Sequence, residues 1–485
     1  MNPVAQNPRE GELADFIRQH LAEVEPLLKA GNEASWKANI TGDPAHEAES
    51  ARLSAEVRKV YSRKEPLDRL LALHGSGEVR EPQLARQLTM LVLAHRAQQM
   101  PPATIERIVA IEKSLESRFN NFRAELNGRR VTDNELRDLL RDSNDPAERR
   151  AAWEACKQIG AQVRDDLIEL VRVRNTAARA QGYANFYSMM LELDELDEPE
   201  LFATFDELDR ETLPLFERYK AGLDLELAAR FGIATTDLRP WHLSDPYFQE
   251  APASGVDLDR WFAGQSLEAL TSRYFSAVGF DVSDLLRRAD LHEKPGKCQH
   301  AFCMSVDRGA DIRVLCNVQP NENWMGTMLH EFGHAVYDQG VDPGLPFLLR
   351  TQAHVLTTEA SAMLFGRLSR NSAWLECYAG MPAAEARASG AATARATAAQ
   401  LLVQTRWCLT MCHMERALYR DPDQDLDTLW WDLVERFQMV RRPDGRHAPD
   451  WAAKIHFSLA PVYYQNYMLG EMMASQLQAA LIREV

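Results

Sequence analysis

Over most of the chain the pattern of apolar and polar positions is helical. From Asp145 to Gly182, Trp153, Val163, Leu167, Leu170 and Val171 recur at helical spacing. Asp145 suits the N-cap, Pro146 the first helical position, Glu148 a capping box and Gly182 the stop. Residues 198–230 read as another amphipathic helix, with Phe202, Phe205, Leu208 and Leu213 on one side. Half of residues 379–400 are alanine, the best helix former, which predicts a tightly packed helix rather than a linker. Helix-bundle core explains these segments, and they call for no chemistry. Residues 239–255 and 441–449 are turn-rich. Residues 300–306 and 311–318 depart from the helical pattern: they alternate or carry β-branched side chains. Asp307, Arg308, Gly309 and Ala310 supply turn chemistry between them, which predicts a β-hairpin. No internal repeat and no Ser/Gly linker interrupts the chain, which points to a single unit with two lobes.

Directly after the hairpin comes His330-Glu331-Phe332-Gly333-His334. Positions i and i+4 of a helix face the same way, so both imidazoles can bind one metal ion. Glu331, beside the first histidine, can act as general base toward a water that the ion activates. The apolar set Trp324, Met325, Met328, Phe332, Ala335 and Val336 predicts a buried helix with one polar stripe. Chance alone would produce such a motif about 0.03 times in a chain of this composition. A catalytic zinc takes three protein ligands and leaves one position open. Tyr337 and Gly340 stand where a third histidine arrangement of the metzincin type would need Gly and His, so that class is excluded. After a turn through Asp342, Pro343, Gly344 and Pro346, a second helix carries Glu359, 25 residues beyond His334. Its carboxylate suits zinc and would partly neutralise the ion. His354 is the rival third ligand; the small residues around Glu359 better suit close helix–helix approach.

The net charge of the 485-residue chain is −16, with 45% hydrophobic and 26% charged residues. This is a globular composition, and its acidic balance disfavours nucleic acid and anionic membrane surfaces as partners. The polar first twelve residues lack the apolar segment of a secretory signal, and no 18-residue apolar stretch exists. The seven cysteines are odd in number and sparse. Together these features predict a reduced, cytoplasmic protein without a disulfide scaffold. Cys408, Cys412 and His413 read as helical core rather than a metal site, and Gly75-Ser76-Gly77 as a turn rather than a phosphate loop. No G-x-S-x-G element is present, which argues against a serine hydrolase.

The motif and its surroundings resemble the gluzincin metallopeptidases: angiotensin-converting enzyme, the thimet oligopeptidase/oligoendopeptidase family and the Taq-type carboxypeptidases. The resemblance is densest over residues 294–368 and 451–477, and the first 120 residues contribute little to it. It implies a mostly α, two-lobed helical clam-shell with a deep central groove and a small β-hairpin beside the active site. Residues 1–485 would form one catalytic unit, with 1–125 as lid helices, 294–368 as the zinc and substrate-strand core and 451–477 as the oxyanion and carboxylate region. His330, His334 and Glu359 resemble the zinc ligands and Glu331 the base. Residues 297–303 (KCQHAFC) resemble a substrate-pairing strand, with His300 and the Ala301 backbone holding the peptide. Lys454, His456, Tyr464 and Tyr467 resemble a carboxylate anchor, an assisting histidine and a tyrosine pair. The second of that pair donates to the oxyanion. The tyrosines stand one residue further from His456 than in converting enzymes.

There are departures as well. Met363 replaces an acidic residue, so the groups that orient the zinc histidines must come from elsewhere. Gln465 and Asn466 stand where a chloride-binding arginine would be, which argues against chloride activation. Cys298 and Cys316 lie near positions that are disulfide-bonded in secreted relatives; free thiols are expected here. The resemblance implies a one-zinc peptidase acting on short, unstructured peptides, with Lys454 favouring release of C-terminal dipeptides. Internal cleavage and single-residue carboxypeptidase action remain open. A non-catalytic zinc-dependent peptide-binding protein is the reading from another class, and a metal-free helical scaffold a third. The oligomeric state is undetermined.

Overall fold

The helix Pro146–Ala180 begins as its sequence dictates. Asp145 accepts from the Ala147 N–H at 2.8 Å and Pro146 takes the first position. Glu148 does not close a capping box, because Ser143 upstream competes for it: the Ser143 hydroxyl donates to its carboxylate at 2.5 Å. The second amphipathic segment is the helix Glu198–Phe231. The alanine-rich helix spans Ala383–Arg420, starting later and running further than its composition predicts. Gly380, at φ 79°, and Pro382 keep the preceding residues out of it. Its later half is held by burial of Cys408, Met411, Cys412, Met414 and Leu418. The structure, a computed structural model, describes residues 7–252 and 257–484. Residues 253–255 of the turn-rich stretch and the first six residues lie outside the described ones. Among the described residues eighteen α-helices and two small antiparallel two-stranded sheets make a mostly α fold. No helix among them is long and apolar enough to cross a membrane.

The expected hairpin pairs Phe302–Ser305 with Ile312–Leu315, Phe302 opposite Leu315. It is shorter than its pattern predicts at both ends. Before it, the Cys298 N–H is spent on the Asn39 carbonyl at 2.8 Å, so His300 and Ala301 precede the strand rather than belong to it. After it, the Cys316 and Val318 amides donate to Asp290 and Leu291 instead. A second hairpin, Ala124–Leu126 with Arg129–Val131, was not expected. Its turn is Asn127-Gly128, both at positive φ (53° and 78°), the pair that a tight two-residue hairpin favours.

The chain forms two compact units. One contains the residues up to Ala110, Leu258–Ala386 and those from Leu469 on; the other contains Ile111–Asp257 and Arg387–Met468. In the first, the motif helix Glu322–Gln339 buries Met325, Met328, Leu329 and Phe332 completely against Phe275, Ile312 and Val314. Burying each such side chain stabilises by about 1.5–3 kcal/mol, so this helix is anchored rather than surface-laid. The N-terminal helix Pro8–Thr41 is tied to the hairpin of the same unit. Asn32 donates to the Val306 carbonyl at 3.0 Å, and Trp36 meets Phe302 edge-on at 6.0 Å. All seven cysteines are free thiols, Cys298 and Cys316 included. Near them, the Lys297 ammonium, fully buried, lies among the Asp290 carboxylate and the carbonyls of Asp290, His292 and Cys316. In the second unit Cys408 and Cys412 are core, and His413 packs between Phe202 and Phe437 at 5.1 and 4.9 Å.

Candidate active site

Two helices build the metal site, and small residues let them meet. A β-carbon at Gly333 would stand 2.7 Å from the Ala362 Cα, so only glycine allows the motif helix to lie this close to the helix Val355–Gly366. Ser361 donates to the Gly333 carbonyl at 3.1 Å, and Tyr337 and Thr357 share a hydrogen bond of 3.0 Å. This contact brings His330, His334 and Glu359 together, one ligand atom from each lying within 4.8 Å of the others. Glu359 Oε2 is 3.6 Å from His330 Nε2 and 3.7 Å from His334 Nε2. Ligand atoms about 2.0–2.1 Å from a tetrahedral zinc are about 3.3 Å apart. The two Glu359–histidine separations lie within a few tenths of an ångström of that spacing, and with all three atoms within 4.8 Å of one another, two imidazoles and a carboxylate are the donor types zinc takes. His354 is not in the cluster. It caps the second helix, its Nδ1 accepting from the Leu356 N–H at 3.1 Å, which leaves Glu359 as the third donor.

The surroundings prepare these donors. Burial pulls the His330 pKa down to about 3, with His334 adding to the effect, and burial pulls His334 down to about 4. Both imidazoles are therefore neutral and keep a lone pair for a cation. His334 Nδ1 lies 2.7 Å from Thr358 Oγ1, a hydrogen bond that orients the ring with Nε2 toward Glu359. Thr358 is the orienting group that the sequence left unassigned. Glu331 is buried; burial, and then the Glu359 charge, push its carboxyl up to about 8. The Cys303 N–H, on the hairpin, donates to it and acts in the opposite direction. A bound dication would offset the Glu359 repulsion. Of the peptide-binding residues expected on this unit, His300 is exposed and Ala301 half-buried, both just ahead of the strand Phe302–Ser305.

The remaining expected residues belong to the other unit and come together there. His456 opens the short helix His456–Leu459, and Tyr464 opens the helix Tyr464–Glu484. The His456 ring lies 4.9 Å from Tyr464 and 6.3 Å from Tyr467, and the two tyrosine rings are 5.3 Å apart. Tyr464 is buried, and its hydroxyl accepts from Trp407 Nε1 at 3.2 Å. Lys454 Nζ donates to Gln249 Oε1 at 2.8 Å and lies 5.1 and 5.2 Å from the ring centres of Tyr247 and Trp407. Burial, with the Arg137 charge next, pulls its pKa down to about 8. Sequence reasoning did not find Gln249 and Tyr247. They sit in the turn-rich stretch, about two hundred residues before Lys454, with no motif to mark them.

Residues 7–243 match the family model of angiotensin-converting enzyme, peptidase M2. The match includes the first 120 residues, where no motif was legible, and ends before the motif helix; the metal cluster therefore adds to it independently. No curated protein matches the chain.

Proposed function

We propose that this chain, a zinc metallopeptidase of the gluzincin group similar to the angiotensin-converting enzyme family, removes dipeptides from the free C-termini of short, unstructured peptides. The observation that carries the C-terminal preference is Lys454 donating to Gln249 between two aromatic rings. One of its three N–H donors serves Gln249, which leaves two for a carboxylate. Bound by His330, His334 and Glu359, zinc supplies Lewis acidity toward water and the scissile carbonyl. Glu331 takes the proton of the attacking water and returns it to the leaving amine. The Tyr467 hydroxyl donates to the developing oxyanion, with His456 assisting. His300 and the Ala301 backbone hold the extended peptide beside the hairpin, where main-chain hydrogen bonds give affinity with little sequence preference. Tyr464 joins Lys454 at the C-terminal end of the substrate. All of residues 1–485 serve this one activity, in the cytoplasm.

Product mapping by mass spectrometry on an unstructured peptide of about ten residues, as free acid and as amide, tests the reading. Stepwise loss of dipeptides from the free acid alone supports it. Internal cuts in both forms would make the chain an oligoendopeptidase. Loss of single residues would make it a carboxypeptidase, and tight binding without turnover a peptide-binding protein.

A further inference from the structure

Val462 holds a left-handed backbone, φ 55°, in the turn just before the tyrosine helix. A β-branched residue resists that conformation, and it persists only where neighbours over-determine it. The neighbours here are buried side chains. Glu415, on the alanine-rich helix and 2% exposed, accepts the Val462 N–H at 2.8 Å. Gln465, 1% exposed, donates to the Val462 carbonyl at 2.5 Å. Just upstream, Arg174 donates to the Ser458 carbonyl at 2.9 Å and to the Tyr419 hydroxyl at 2.9 Å, and pairs with Glu112. The segment between His456 and Tyr467 is thus gripped from both sides. Val462 is the one residue of this segment at positive φ.

We propose that Glu415 is a positioning residue for Tyr467: by accepting the Val462 N–H it holds the left-handed turn that aims the Tyr464–Tyr467 pair. This rests on the reading of Tyr467 as the oxyanion donor. The task requires an acceptor oxygen, not a charge. Burial pushes the Glu415 carboxyl up to about 8, consistent with a group that works uncharged. Glutamine should therefore replace it, and an apolar side chain of the same length should not. Glycine at 462 adopts the left-handed turn unaided and should make Glu415 dispensable.

The test measures kcat and KM on a free-acid peptide for Glu415→Gln and Glu415→Met, each in the native and the Val462→Gly background, with Tyr467→Phe alongside. Glu415→Met is expected to lower kcat about tenfold or more with KM within about twofold and zinc content unchanged. Glu415→Gln should stay within about threefold of the parent. In the Val462→Gly background the Glu415→Met loss should shrink to under about threefold, and this background also supplies a folded host should the single variant not fold. An unchanged kcat in Glu415→Met would overturn the proposal. So would equal losses in Glu415→Gln and Glu415→Met, or an undiminished loss beside glycine. If instead Tyr467→Phe leaves kcat intact, the oxyanion reading fails, whatever the Glu415 variants do.

Discussion

Gly470 lies against the ligand glutamate: a β-carbon at position 470 would stand 2.8 Å from the Glu359 Cβ and 3.2 Å from the Ala360 amide nitrogen. The helix that carries Glu359 is also fastened to the same stretch by Arg367, which pairs with Glu471 and donates to Gln478 at 2.8 Å. A side chain at 470 forces this contact to open, and the backbone of the glutamate helix lies in its way. Gly470→Ala should weaken zinc retention about tenfold or more, read by competition with a chelator, with little change in helical content. Unchanged zinc affinity would show that the contact relaxes without moving Glu359.

Thr358 gives a second, gentler handle on the same site. Its hydroxyl fixes His334 through Nδ1 at 2.7 Å, so valine, of the same shape, removes the partner and nothing else. Thr358→Val should lower zinc affinity about 10–100-fold while leaving kcat of the zinc-saturated enzyme nearly unchanged. Equal zinc affinity in the two proteins would mean that packing alone orients His334.

The anchor lysine predicts a pH dependence with a definite sign. Lys454 is charged below its lowered pKa of about 8 and neutral above it. For the free enzyme, the ratio of kcat/KM on a free-acid peptide to that on its amide should therefore fall as pH rises through about 8, since ionisation of Glu331 acts on both substrates alike. An amidated peptide offers no carboxylate to the lysine, and in Lys454→Gln the ratio should not fall. Parallel profiles for acid and amide would remove Lys454 from the substrate's terminus.

The parts of this site that could be read from the chain are local. His330 and His334 are four residues apart on one helix, so their common direction follows from helical geometry. Glu359 was reachable because the turn after Gly340 and the small residues around position 360 predict a returning helix. Gln249 and Thr358 were not reachable: a side-chain pair 205 residues apart, or a hydroxyl facing a neighbouring helix, exists only once the tertiary fold is set. Glu415 belongs to the same class, since Val462 carries no sequence mark of its left-handed backbone. The strand ends were misplaced because backbone amides at Cys298, Cys316 and Val318 found partners outside the hairpin, which alternation of side chains cannot report. The Asn127-Gly128 hairpin did carry its signal, yet the flanking strands are three residues each, too short for a visible alternation.

Glu331 is the residue on which the account turns, buried beside the metal cluster and not part of it. The most direct measurement sets zinc content against peptide turnover in the native protein and in Glu331→Gln. The account predicts one zinc per chain in both, and turnover lower by about 10²–10⁴ in the variant. Equal turnover in the two, or a native protein that hydrolyses peptides without zinc, would contradict it.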